Sequence, residues 1–427
     1  MAKKKNVKPA SDLPVPDILP RFSFWLMLPL FAVWALIVLI NYQQKTGFFS
    51  LFPLSPLLWL SHLSEAGRVF AYVPQLAYAV LFAAFSFAVG GILLKVLAGA
   101  ENKDIGELDW LFFSLGLGYG ALSLTMLGLG FLGLYNKYAV FSLLGAGLLA
   151  GAARFRRDFY GRLKGLSLEL AQLRFTWFDR LLLFVIFMFV ALAFFWALSP
   201  EIFFDSLVYH LGAPNYYIRE GRVAAMAYNI CSGFPLVVQM LYTAGLLVSD
   251  DVLARLIHFS TGLFLLGTLF AAGRRYASVT AGLLACVIFL GIPMVIMNLA
   301  TTGMDVGSCW FTLLAAYSLL LFSARDGGEG SGTWDRTLLL SAVFTGLACG
   351  TKYQALFTVI AGFGVLAYRH FSEPVRGDLR PALKQALFYG AVTGLVFAPW
   401  PLKNMLFHGN PLYPFFAKLF GGQQVDP

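Results

Sequence analysis

Apolar runs long enough to cross a lipid bilayer recur along almost the whole of this 427-residue chain. They lie at 22–42, 69–94, 110–133, 135–153, 180–198, 252–273, 278–299, 306–323, 337–351, 353–368 and 385–402. A spanning helix needs about 20 mainly apolar residues, and a lipid-exposed strand would leave backbone groups unpaired, so each run is read as a helix. Only 12% of the residues are charged, against about 25% in a soluble domain. The expected fold class is all-α integral membrane, with about eleven transmembrane helices. Two further apolar stretches fall short. Pro53 and Pro56 interrupt 46–64, and 235–248 is too short to span.

The start, "MAKKKNVKPASDLPVPDILPRFSFW", is basic and then apolar, with no small-residue cleavage site, and reads as an uncleaved signal anchor. With the N-terminus inside, 22 of the 31 Lys and Arg fall on inner segments. That is the bias expected of cytoplasmic loops, and it accounts for the net charge of +9 without a nucleic-acid partner. If 235–248 spanned, every later segment would invert and eight basic residues would move outside. This stretch is therefore expected to lie along the outer surface. The expected location is the inner (cytoplasmic) membrane, with 199–251 as the largest outer, periplasmic loop.

Three regions follow: a four-span scaffold at 1–153, a basic cytoplasmic linker at 154–179, and a seven-span module at 180–427. The scaffold holds almost no charge inside its spans. Its stretch "GLGYGALSLTMLGLGFLG" follows no strand, so close helix packing is the expected use of its glycines, not a nucleotide cradle. Cys231, Cys286, Cys309 and Cys349 show neither a CxxC pair nor metal spacing.

The outer ends of the last seven spans collect polar groups that a simple bundle does not need. "FFDSLVYHL" places Tyr209 four residues after Asp205, on one helical face, with His210 turned to the side. Asp205 suits a general base, or else a helix cap. Asp305, in "ATTGMDVGSCW", opens a later span on the same side. It is either favoured by the helix N-terminus or paired in function with Asp205. Two such carboxylates could hold an acceptor hydroxyl or a divalent cation; no cofactor is otherwise called for.

Lys352 lies in "GLACGTKYQAL". One straight helix over 337–368 would measure about 48 Å, too long for a hydrocarbon core of about 30 Å. Two short spans folded as a hairpin fit, with Lys352 at the turn near headgroup depth. A lysine there either snorkels or meets a phosphate. Arg222 and Lys403 could assist it, while Asn229, Tyr209, His210 and Tyr353 could contact substrate.

Taken together, Asp205, Asp305, "GTKYQAL" and "PWPLKNMLFHGNPLYPFF" resemble the GT-C superfamily of polytopic glycosyltransferases, near its protein O-mannosyltransferase and lipopolysaccharide sugar transferase branch. The resemblance covers about 180–422. It implies a GT-C-like helical bundle with interfacial helices in the periplasmic loop, and transfer from a polyprenyl-phosphate-linked sugar to a lipid, glycan or protein acceptor among membrane lipids. It also implies Asp205 as catalytic acid/base and Lys352 at the donor phosphate. Relatives continue beyond the point where this chain ends in "FGGQQVDP", so a C-terminally shortened member is expected. A transporter or lipid flippase is the alternative, but the chain shows no internal repeat and its charges gather at one face. A catalytically silent assembly protein is a further alternative.

Overall fold

The computed structural model describes residues 70–99, 105–226, 228–324, 335–372 and 379–421, together with scattered positions between Pro29 and Gln44. The chain divides into two compact units, Met1–Pro74 and Gln75–Pro427. In the first, the described positions from Pro29 to Gln44 are helical, in agreement with a helix at 22–42. The signal anchor, most of that first run, the stretch 46–64 and the last residues of the chain lie outside the described residues.

Helices account for the regular structure of the second unit, and no strand occurs among the described residues. In chain order they are α1 (Val73–Ala98), α2 (Glu107–Phe131), α3 (Lys137–Ala171), α4 (Trp177–Ala197), α5 (Gly212–Glu220), α6 (Val237–Val248), α7 (Asp251–Tyr276), α8 (Val279–Leu290), α9 (Pro293–Ala300), α10 (Asp305–Ser323), α11 (Arg336–Cys349), α12 (Leu356–Ser372), α13 (Arg380–Phe397) and α14 (Pro399–His408). Their starts carry side-chain caps: Asn136 for α3, Thr176 with Asp179 for α4, Asp250 for α7, Ser278 for α8 and Asp335 for α11. Each cap accepts from an N–H that the helix itself leaves unpaired.

Among the described residues six helices are long and apolar enough to cross a membrane, and a seventh span results if the bent pair α8–α9 is counted as one. The protein is thus an all-α membrane protein. The described residues do not carry the count to eleven, and three readings change. The run 278–299 is not one rod: α8 and α9 meet at 81°, because α8 ends at Gly291 and Pro293 opens a new helix. The stretch 235–248 does not lie along a surface. Its helix α6 is buried from Val237 to Gly245 and packs against α2, α5 and α7. Its polar Gln239 and Thr243 are buried along with its apolar residues, so this stretch of the helix offers no wet face. The basic linker is helical as far as Ala171, as the continuation of α3.

The glycines of α2 serve packing, as expected. A Cβ on Gly118 would fall on the Ser86 backbone carbonyl of α1, and one on Gly90 would fall on that of Ser114. Gly116 and Gly120 make room for Leu314, Phe344 and Leu347 of α10 and α11. The scaffold is less free of charge than expected. Asp109, 4% exposed, accepts from Arg275 Nη1 at 2.7 Å, from the Tyr317 hydroxyl at 2.5 Å and from Gly106 N–H at 3.0 Å. Beside it Arg274 pairs with Glu169, and Arg162 with Glu107. This network ties α2 and α3 to α7 and α10, so the front of the chain is joined to the back by ion pairs as well as apolar contact.

Candidate active site

At the C-terminal end of α4 the chain turns through "SPEIFFDSLVYHL", and Glu201 organises the turn. Its Oε1 accepts from the N–H groups of Ile202 and Phe203, both at 3.0 Å. Its Oε2 accepts from Thr302 N–H at 3.0 Å and from the Thr302 hydroxyl at 3.1 Å. Thr302 belongs to the short loop that presents Asp305 at the start of α10. One carboxylate therefore fastens the two acid-bearing loops together. The second loop has another anchor: Tyr242 of α6 donates to the Gly303 carbonyl and meets His258 Nδ1 at 2.5 Å, while His258 Nε2 lies 2.8 Å from the Asn298 carbonyl.

After Glu201 the backbone winds into a single π-helical turn, Ser206–His210, closed by Leu211 N–H on Ser206 O at 2.7 Å. An α-helix was the expectation, but the wider turn still leaves Asp205 and Tyr209 on one side. Asp205 makes no capping bond. Instead it faces Tyr209, whose phenol is raised by burial first, then by the Asp205 charge and, more weakly, by Asp305. A π-turn is uncommon and is frequently met at functional sites.

Lys352 stands at the hairpin turn between α11 and the short 3-10 turn Tyr353–Ala355 that leads into α12, as the length argument required. Its ammonium forms an ion pair with Asp305. Both partners are accessible, with side-chain exposures of 25% and 51%. His210 faces the same pair electrostatically. Asp205, Tyr209, His210, Asp305 and Lys352, chosen from three separate stretches of sequence, thus come to one place.

The remaining candidates are placed differently. Asn229 Nδ2 donates to Val208 O at 3.0 Å, and its Oδ1 accepts from Cys231 N–H at 3.0 Å, so it braces the π-turn from behind. Tyr353 is held by Asn404 Nδ2 at 3.1 Å. Lys403 is 1% exposed and donates to the carbonyls of Ser232, at 2.5 Å, and Phe234, at 3.4 Å. Burial pushes it down to about 7. An ammonium spent on buried carbonyls is not open to a phosphate. Arg222 is exposed and follows α5, where its N–H bonds Tyr217 O. Lys403 is thus engaged by the 232–234 turn, whereas Lys352 is engaged by Asp305. Among the described residues no group of three or more His, Cys, Asp or Glu could hold a metal ion.

Glu201 and Gln239 are the site residues that sequence reasoning missed. Glu201 had a visible signal, as an acid four residues before Asp205 in an apolar loop. Gln239 had a weaker one, a single amide within the apolar run of α6; its Nε2 lies 2.9 Å from His210 Nδ1.

Residues 239–407 match the family described as Dolichyl-phosphate-mannose-protein mannosyltransferase, a GT-C superfamily family. The match takes in about two fifths of the chain and includes Asp305, Lys352, Tyr353 and Lys403; Glu201, Asp205 and His210 precede it. No curated protein and no solved structure shows a match. The match bears out the resemblance to polytopic glycosyltransferases that use polyprenyl-phosphate-linked sugars.

Proposed function

We propose that the protein moves a sugar from a polyprenyl-phosphate carrier to a hydroxyl of a lipid, glycan or protein acceptor, at the outer face of the cytoplasmic membrane. The observation that carries this reading is the meeting of Asp205, with its Tyr209 partner, and the accessible Asp305–Lys352 pair at one site. The family match supports the donor class, mannose on a polyprenyl phosphate.

In this reading Asp205 accepts the proton of the acceptor hydroxyl as that oxygen attacks the anomeric carbon. The new carbon–oxygen bond forms while the bond from the anomeric carbon to the phosphate oxygen breaks. The pair of electrons leaves with the polyprenyl phosphate, whose charge Lys352 stabilises. Asp305 holds Lys352 until the phosphate arrives and then shares it. A single displacement inverts the anomeric centre. No step calls for a metal, although Asp205 and Asp305 could position the acceptor together.

The donor class is tested with purified protein in nanodiscs and, as acceptor source, membranes from a strain lacking the gene. Dolichyl-phosphate-mannose should yield dolichyl phosphate and mannosylated product, whereas a nucleotide-linked mannose should give none. Transfer from the nucleotide sugar alone would overturn the reading.

A further inference from the structure

His210 is 3% exposed and is bonded through one ring nitrogen only. Its Nδ1 lies 2.9 Å from Gln239 Nε2, and Nε2 has no protein partner among the described residues. Gln239 is itself fully buried, and its Oε1 is unpartnered. The orientation of such an amide follows from counting donors. As placed, Gln239 gives an N–H to His210, brings another within 3.7 Å of Met304 Sδ, and strands a single acceptor. Turned over, it would bury an NH2 with no partner, so the observed orientation costs less.

An amide donor on Nδ1 makes that nitrogen the acceptor. In the neutral ring the hydrogen then sits on Nε2, beside the Asp205–Tyr209 turn and within the field of Asp305 and Lys352. Burial first, then the neighbouring His258 and Lys352, work against a charged form of His210, while Asp305 favours it. We propose that His210 is a substrate-binding residue held by Gln239 as an Nε2–H donor, which gives its hydrogen to an oxygen on the sugar of the donor substrate. The proposal rests on the transferase reading above. A neutral donor suits a sugar hydroxyl, which carries no charge, while Lys352 already supplies the charge that a phosphate requires. It also assigns proton acceptance to Asp205 alone, since a histidine with Nδ1 occupied and hydrogen on Nε2 offers no free lone pair to an acceptor hydroxyl.

Nitrogen-15 NMR of histidine-labelled protein in nanodiscs, with the His210 resonances identified by His210→Gln, reads the tautomer without any turnover. The expected result is a neutral ring with hydrogen on Nε2 from about pH 5 to 8. Hydrogen on Nδ1, or titration near the free-imidazole midpoint, would overturn the proposal. Binding of dolichyl-phosphate-mannose supplies the second arm. His210→Leu should bind about tenfold more weakly, and His210→Gln, whose amide N–H reaches the position of Nε2, should recover most of that loss. Gln239→Glu should make binding fall as pH rises through the imidazole range, where the wild type stays flat, because a carboxylate draws the ring hydrogen to Nδ1. Equal binding by His210→Leu and wild type, or a flat Gln239→Glu profile, would overturn the role. Wild-type protein that fails to bind this donor would overturn the transferase reading instead, and the nitrogen resonances would still decide the tautomer.

Discussion

At the scale of single residues, the Asp305–Lys352 pair makes the clearest claim. A lysine that only snorkelled would reach past the headgroups to water; this one is turned to an acid at the head of another helix. If it binds the carrier phosphate, Lys352→Ala should weaken dolichyl phosphate binding by about ten- to a hundredfold, the range for a lost hydrogen bond to a charged group. Lys352→Arg should keep part of it, since the charge remains while the shape changes. Asp305→Asn should be milder, because it removes a competitor for the lysine along with a holder. Binding measured in nanodiscs decides this, and wild-type affinity in Lys352→Ala would leave the phosphate site elsewhere. Lys403 makes a different prediction. Its folded-state value of about 7 lies below the usual 10.5 of a lysine, so the unfolded chain holds the extra proton between those limits. Stability should therefore rise with pH from about 7 to about 10.5. Lys403→Met should flatten that slope in thermal unfolding; an unchanged slope would mean the ammonium is not buried as seen. Neither residue's role could be divided this way beforehand. Both are lone lysines at span ends, and only the folded chain shows that one faces a carboxylate and the other the backbone carbonyls of Ser232 and Phe234.

At the scale of elements, what was legible followed from length and what was hidden followed from long-range pairing. The hairpin around Lys352 could be read because two arginines and a fixed rise per residue leave no other way to fit 337–368. The bend at Gly291–Pro293 was written in the chain but masked by continuous apolarity on both sides. The helix α6 was misplaced because shortness alone does not tell a surface helix from a buried one. Glu201 could not be paired with Thr302, which lies 101 residues away. Its removal should show at the element level: Glu201→Gln keeps the shape but weakens four bonds, costing about 1–3 kcal/mol of stability and lowering transfer by loosening the Asp305 loop. Full activity with an unchanged unfolding temperature would reduce Glu201 to a surface acid. The α1–α2 contact predicts that Gly118→Ala destabilises by about 1–3 kcal/mol, since even one methyl must displace the Ser86 backbone. Unfolding in detergent measures it, and a neutral result would contradict the packing.

At the scale of the whole molecule, the polar groups sort to the two ends of the bundle. One end gathers Glu201, Asp205, Asp305 and Lys352; the other is closed by the Asp109–Arg275 and Glu169–Arg274 pairs. On the charge split of the loops, the first end is proposed to face outward. Reporter fusions after Ala153, Asp251 and Arg275 should then read inside, outside and inside. An inside signal after Asp251 would mean that α6 crosses the membrane, which would put Asp205 and Asp305 on opposite sides and overturn the site assignment. The most direct test of the central claim is the rate at which folded Asp205→Asn in nanodiscs releases dolichyl phosphate from dolichyl-phosphate-mannose with the membrane acceptor present. The amide keeps the shape of Asp205 but cannot take the acceptor's proton, so the rate should fall about 10²–10⁴-fold with donor binding retained. Turnover near that of the wild type would contradict the assignment of Asp205 as the base.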